Sequence, residues 1–412
     1  MSTITQIFNS KSIVRTAAAF AICLSLNQNT FAEAHISGLF HFNYTDGQRG
    51  ADLNSTYVHN DSLGFSIGQM NLFVEGDVAR NTYYTGEIVS DLYTNNQEER
   101  PFRLRTASVT MTNLWKYKAN VEFGKFDTIF GTWTERRLPI DNPLFSAPLA
   151  YSYKVHLNPD GGFVPPAIRN IGNADIRQIG IVGPDITNTG AKLFGRLSNT
   201  KLSYAFTASN NSLSNSKDTN INNALNVAAK LHWDADHNTS FGVNVSQGAY
   251  MNSLSILDPL SPQRDATYGN VVGATRLNTS SYLQTLIGGY LNYKYGRLQM
   301  NTEYISSTYQ VPNLSDDLIA DAFYVEGKVN FTKEFFGAAR YDSLAFNDNK
   351  YRLNNTLAPT KWDDNLTRME VAVGSYVNPS TLAKVSYQST DFDLANNRKD
   401  FDLVSGSFTV VF

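Results

Sequence analysis

The stretch Asp402–Phe412, DLVSGSFTVVF, decides the fold. Val404, Phe408, Val410 and Phe412 fall on one parity together with Gly406, and Ser405, Ser407 and Thr409 fall on the other. A period of two marks a strand with two unlike faces. A chain that stops inside such a strand, on an aromatic residue, fits a sheet that closes on itself, because closure removes the exposed edge. The expectation is a closed antiparallel β-barrel whose other strands lie upstream.

The same alternation recurs along the chain. Ile36, Phe40, Phe42 and Tyr44 oppose His41 and Asn43, and Leu225, Val227, Leu231 and Trp233 oppose Asn226, Lys230 and His232. Phe323, Val325 and Val329 oppose Glu326 and Lys328, while Phe335, Ala339 and Tyr341 oppose Arg340 and Asp342. Met369, Val371 and Val373 oppose Arg368 and Glu370, and Ala383, Val385 and Tyr387 oppose Lys384, Ser386 and Gln388. Charge opposite an apolar stripe, repeated this often, implies a wet interior and an apolar exterior. One segment, Phe102–Thr112, changes phase midway and its faces cannot be assigned from the period.

The amino terminus supplies the compartment. Lys11 and Arg15 precede an apolar run from Thr16 to Leu26, and small-residue exits follow at Ala32 and Ala34. This is the pattern of a secretory signal peptide, residues 1–34, cleaved after Ala32 or Ala34. The run is too short to span a bilayer core of about 30 Å. The single cysteine, Cys23, lies within the leader, so disulfide and thiolate chemistry are not expected of the mature chain. Losing Lys11 and Arg15 moves the net charge from −3 to about −4 or −5, which argues against nucleic acid as a partner. Mean hydropathy is −0.30, yet 42% of residues are hydrophobic, with 22 Tyr and 25 Phe, so the apolar residues are dispersed. No run of 18 apolar residues follows the leader, so a membrane-embedded form crosses as strands.

Residues 35–412 thus read as one outer-membrane β-barrel of a Gram-negative cell, with the lipid bilayer as its surround. Short connections such as Ser198–Thr200, Asp234–His237 and Val377–Ser380 alternate with long polar ones near 45–62, 211–221, 251–278 and 346–364. Short periplasmic turns and long extracellular loops are the outer-membrane pattern. Counting Arg177–Gly183 as a strand gives seventeen and separates the termini. Assigning 174–188 to the preceding loop gives sixteen, with eighteen as the alternative.

The longest irregular region, 124–175, holds six prolines between Pro139 and Pro166 and shows no sustained alternation. Loops of this length are uncommon and usually functional or disordered, and its aromatics between Phe126 and Tyr153 argue against disorder. A loop this apolar is expected to fold into the barrel mouth. There Lys125, Asp127, Glu135, Arg136, Arg137, Asp141 and Lys154 are the candidates to line a constriction, where charge biases ion passage. The competing reading is an external flap whose charges keep it soluble.

The segments GKFDTIFGTWTERR (Gly124–Arg137), RQIGIVG (Arg177–Gly183) and KLSYAFTASNNS (Lys201–Ser212) together resemble, in order, the phosphate-selective porin O/P family. GAARYDSLAF, the stretch Arg368–Gln388 and the terminal Phe412 resemble Gram-negative porins more generally. The resemblance spreads over most of the mature chain and implies a sixteen-stranded, often trimeric channel for passive diffusion of small solutes, with no cofactor. It also implies that Phe412 is the terminal aromatic recognised by barrel-insertion machinery. One departure stands out. Anion-selective members carry basic lumens, whereas here the lumen-side bases Lys192, Arg196, Lys230, Lys328, Arg340, Arg368 and Lys384 face as many acids, Glu87, Asp91, Glu122, Glu303, Glu326, Asp342 and Glu370. Opposite charges of this kind are also what cross-strand pairs provide, at roughly 0.2–1 kcal/mol each.

Enzymatic motifs are missing. No G-x-S-x-G elbow or Walker A loop occurs, and the six histidines have no metal-ligand spacing. A passive pore is therefore the leading expectation. A barrel serving as a surface adhesin or structural anchor is the alternative from another class. Amino-terminal sequencing of the protein recovered from cell envelopes should begin at Glu33 or His35; a chain still starting at Met1 would refute the leader.

Overall fold

A computed structural model describes residues 34–47, 64–91, 102–117, 119–159, 162–163, 179–183, 186–197, 200–215, 218–220, 222–252, 279–312, 314, 316–353, 356–393 and 400–412. The expected leader 1–34, apart from Ala34, and residues 48–63, 164–178 and 253–278 lie outside the described residues. Sixteen strands close into one antiparallel barrel. They are β1 (Ala34–Gly47), β2 (Gly64–Ala79), β3 (Thr82–Asp91), β4 (Arg103–Asn113), β5 (Ala119–Asp127), β6 (Thr187–Arg196), β7 (Leu202–Asn210) and β8 (Leu225–Asp234). The second half comprises β9 (Thr239–Ala249), β10 (Leu283–Tyr295), β11 (Leu298–Tyr309), β12 (Leu318–Asn330), β13 (Phe335–Phe346), β14 (Leu366–Asn378), β15 (Thr381–Phe392) and β16 (Phe401–Val411). Among the described residues no helix is long and apolar enough to cross a membrane.

Each strand pairs with its chain neighbours, and β16 pairs with β1, Leu39 opposite Val411 and Gly47 opposite Leu403. Gly38 and Phe412 exchange backbone hydrogen bonds at 2.7 and 2.9 Å. The Phe412 ring covers Gly38, where an added Cβ would come within 2.5 Å of it. The seam therefore needs the smallest residue where the terminal aromatic ring lands. At the short turns Asn81, Asn113 and Gly296 adopt left-handed backbone, φ 64°, 59° and 56°, which asparagine and glycine tolerate best.

Face assignments follow the period. Outward rows are apolar, with Val404 and Phe408 exposed on β16 and Leu225, Val227, Leu231 and Trp233 exposed on β8. Inward rows are polar and buried, including Ser405, Ser407 and Thr409 on β16 and His41, Asn43 and Thr45 on β1. Toward the long-loop end the inward residues of β10 to β13 turn apolar, at Leu286, Ile305, Tyr309, Leu318 and Leu344. That is where the core lies, inside the wall.

Four details correct or complete the sequence reading. The irregular region begins at Thr128, because Lys125 and Asp127 belong to β5, paired with Thr189 and Thr187 of β6. Ile179–Gly180 pairs with Lys154–Val155 in a small ladder within the long loop, so it adds no wall strand and the count stays at sixteen. Loop 346–364 carries a hairpin, Asp348–Leu353 against Thr356–Lys361. The phase change in β4 is a β-bulge: Glu87 sits opposite Thr106 and Ile88 opposite Leu104, leaving Arg105 as the extra residue. Asp91 ends β3, and its side chain lies outside the described residues.

Deleting Phe412, or making Gly38→Val, should cut the folded fraction recovered from membranes several-fold while leaving the conductance of properly inserted molecules unchanged. Gel mobility before and after heating reads the folded fraction. Wild-type yield from both variants would remove the seam from the account.

Candidate functional site

Residues 128–159 form a strap inside the barrel. Its base is closed by the Thr128 N–H donating to Ile186 O at 3.2 Å. Prolines 139, 143 and 148 break any regular element. Only short elements form: a 3₁₀ turn at Trp133–Arg136, one helical turn at Leu149–Ser152, and two-residue strands at Lys154–Val155 and Leu157–Asn158. Apolar side chains fix its upper half: Phe130, Trp133, Tyr151, Tyr153 and Val155 are buried with Leu286, Ile305, Tyr324, Phe346 and Trp362 of the wall and its rim. Each such burial contributes about 1.5–3 kcal/mol. Lower down, Leu144 packs with Phe336, Ala338, Ala372 and Leu382. Gly131 is left-handed, φ 74°, and lies against the Tyr151 hydroxyl, so no side chain fits there.

Charge completes the attachment. Register sets Glu326, Arg340 and Glu370 directly opposite one another on β12, β13 and β14. Arg340 pairs with Glu370 at 3.0 Å, Asp342 at 2.9 Å and Glu326 at 3.4 Å, all four side chains at most 1% exposed. This row then grips the strap. Arg340 Nη2 donates to Ser146 Oγ at 2.6 Å, Phe145 N–H donates to Glu370 at 2.7 Å, and Leu149 N–H donates to Asp342 at 3.1 Å. Arg368, opposite Asp342, donates to Ala147 O and Ser152 Oγ, both at 3.4 Å. The Lys384 ammonium sits in a cage of three strap carbonyls, Pro139, Asn142 and Leu144, at 2.9, 2.7 and 2.9 Å. At the long-loop end Asp363 accepts from Tyr153 Oη and from the His156 N–H at 3.0 and 2.8 Å.

The candidate residues separate into three groups. Arg136 pairs with Glu326 and donates to Tyr324 Oη at 2.9 Å, Arg137 pairs with Glu87, and Glu135, largely exposed, faces Lys230 at 3.5 Å. Burial lowers the Arg136 pKa, but Glu326, Tyr324 and Glu303 beside it raise it overall above the ordinary arginine value, so it stays charged. Asp141 is solvent-exposed within the lumen; the surrounding protein raises its pKa while Arg137, Lys328 and Lys384 pull it down. Lys328 rests on the Phe336 ring at 4.2 Å and the Tyr376 ring at 5.4 Å. Lys125 does not reach the interior. It shares the outward row with Val121 and Phe123, and it pairs with Asp218 at 2.7 Å. Asp127 is bound by Arg105 at the rim, and Lys154 lies in the small ladder opposite Gly180. Arg105 itself escaped the sequence reading. Fully buried, it pairs with Glu87 at 2.8 Å and with Asp127, and its only trace in the sequence is the broken period of Phe102–Thr112.

No family model matches the chain, and no curated protein matches it. Solved structures do. The fold is similar to the outer membrane channel DcaP of Acinetobacter baumannii, TM-score 0.56 at 11% identity, covering 94% of this chain and 99% of that one. It is similar to OmpT, an outer membrane protein of Vibrio cholerae, TM-score 0.53 at 11% identity over 94% and 99%. OmpF of Salmonella typhi, in complex with daunomycin, gives TM-score 0.51 at 11% identity over 92% and 97%. The likeness is one of fold: a closed sixteen-strand outer-membrane barrel.

Removing one partner of a buried ion pair leaves the others uncompensated, at about 3–5 kcal/mol. Arg340→Met should therefore destabilise the barrel by about that amount, because three carboxylates lose their shared cation. Denaturant unfolding of the detergent-solubilised protein measures it; a change below about 1 kcal/mol would show the row to be solvated.

Proposed function

We propose that the protein is an outer-membrane porin, a water-filled passage for passive diffusion of small hydrophilic solutes or ions. The observation that carries this reading is a sixteen-strand closed wall, apolar outside and polar inside. A ring of that size is too wide for wall side chains alone to fill, so aqueous space is left beside the strap and the apolar core it forms with β10 to β13. The outward rows need hydrocarbon around them, and a secretory leader over residues 1–34 would deliver the chain to a Gram-negative outer membrane. Barrel-insertion machinery acting on the Phe412 strand, and a homotrimer as the assembled form, belong to the same proposal.

The strap is the narrowing. Glu135, Arg136, Arg137 and Asp141 are proposed to face the solute there, with Lys230, Glu326, Lys328, Arg340, Asp342, Arg368, Glu370 and Lys384 as the wall that holds or opposes them. Lys192 pairs with Glu122, Arg196 with Asp234 at 3.4 Å and Lys230 with Glu135, so inward bases and acids largely cancel. The proposal therefore includes no strong preference for anions, unlike the phosphate-selective family that the motifs resemble.

Purified protein in a planar lipid bilayer should give discrete conductance steps in KCl, with a reversal potential close to zero in asymmetric salt. Absence of steps from folded, inserted protein would sink the porin reading in favour of an anchor or adhesin. A strongly displaced reversal potential would overturn the charge balance while keeping the pore.

A further inference from the structure

Arg136 and Arg137 are adjacent, their Cα atoms about 3.8 Å apart, yet they bind opposite sides of the barrel. Arg136 pairs with Glu326 on β12. Arg137 pairs with Glu87 on β3. In the closed order β3 and β12 are nine strands apart one way and seven the other, almost diametric in a ring of sixteen. A third attachment lies between them: Lys230 on β8 donates to Gly131 O at 2.9 Å and faces Glu135 at 3.5 Å.

Sixteen strands about 4.8 Å apart and tilted about 40° enclose a ring roughly 30 Å across. A loop lying along one wall would leave a single wide opening in such a ring. A segment tied to β3, β8 and β12 cannot lie along one wall; it stands across the lumen. From this geometry we infer that residues 131–137 form a crossbar that divides the passage into narrow lanes, resting on the porin reading above and adding to it the size of the solute. The lanes take small inorganic ions and polar molecules of a few heavy atoms, and they exclude oligosaccharides and peptides.

The far end of the bar is built rather than incidental. Glu87 accepts Arg137 and Arg105 on the same oxygen, the latter at 2.8 Å, and Asn71 on the other. Arg105 reaches Glu87 because the bulge in β4 turns two successive residues, Arg105 and Thr106, into the barrel, where both are buried. The bulge thus has a role: it fixes the carboxylate on which the bar ends. Arg105 is a positioning residue in this scheme.

The experiment compares wild type, Arg137→Ala and the double variant Arg136→Ala/Arg137→Ala by single-channel recording in KCl, with poly(ethylene glycol) of graded mass as the size probe. The strap keeps its Lys384 and Arg340 attachments in all three, and heat-dependent gel mobility confirms a folded barrel. The inference predicts that conductance rises by about twofold or more and that larger polymers enter as the bar is released. A silent wild type beside conducting variants would overturn the lanes, because a bar that closes the pore leaves no passage for ions. Equal conductance and equal polymer cut-off in folded wild type and double variant would overturn the crossbar and leave the porin reading standing. Silence from all three folded proteins would overturn the porin reading, and the crossbar with it. If the double variant fails to fold, Arg137→Ala alone carries the same comparison, since it cuts the bar at one end only.

Discussion

Every peptide N–H and C=O of a wall facing hydrocarbon must find a partner within the wall, since each one left unpaired there costs several kcal/mol. This constraint organises the rest. It requires β16 to return to β1, and the exchange between Gly38 and Phe412 is where the ring is completed. Once the ring is closed, alternate residues are sorted without choice into outside and inside. The repeated alternation of apolar and polar residues along the chain is the imprint of that sorting.

Closure creates a second problem. A sixteen-strand ring leaves an interior that its own side chains cannot fill, and charged rows on β12 to β15 would face it alone. The strap answers both needs. Its aromatics supply an apolar core in the long-loop half, and its backbone carbonyls and amides satisfy Lys384, Arg340, Glu370 and Asp342 below. Wall charges that could be taken for selectivity elements are in large part structural: they hold the strap, and their mutual cancellation follows from register. What they leave facing solution is Glu135 and Asp141, with Arg136 and Arg137 partly covered beside them. In the proposed pore, balanced charge and the crossbar would sort solutes by size ahead of charge.

Legibility in the sequence divides along the same line. Strand faces were readable because the period is local, as β1, β8, β12 to β14 and β16 demonstrate. β4 was not, since a single bulged residue reverses the parity and conceals Arg105. β5 runs further than its pattern suggests: Lys125 on the outward row and Phe126 on the inward one invert the usual polarity, which imitates a strand end. The irregular character of the strap was visible in its prolines, but its partners were not. Arg136 meets Glu326 across 190 residues and Lys384 meets Asn142 across 242, and no local pattern encodes contacts at such separation. The Arg136–Arg137 dipeptide looks like one basic cluster in the sequence; in the fold its two members point to opposite walls.

The central claim is that the strap is fastened inside the barrel rather than hanging beyond its rim. Cys23 is the only cysteine of the chain and lies within the expected leader, so an introduced pair gives a clear readout. Leu144 of the strap and Leu382 of β15 belong to one buried cluster. The most direct measurement is oxidative cross-linking of Leu144→Cys/Leu382→Cys in membrane-inserted protein, read by gel mobility with and without reductant. The account predicts near-complete intramolecular disulfide formation; a folded barrel whose two thiols stay free and react separately with a water-soluble maleimide would contradict it.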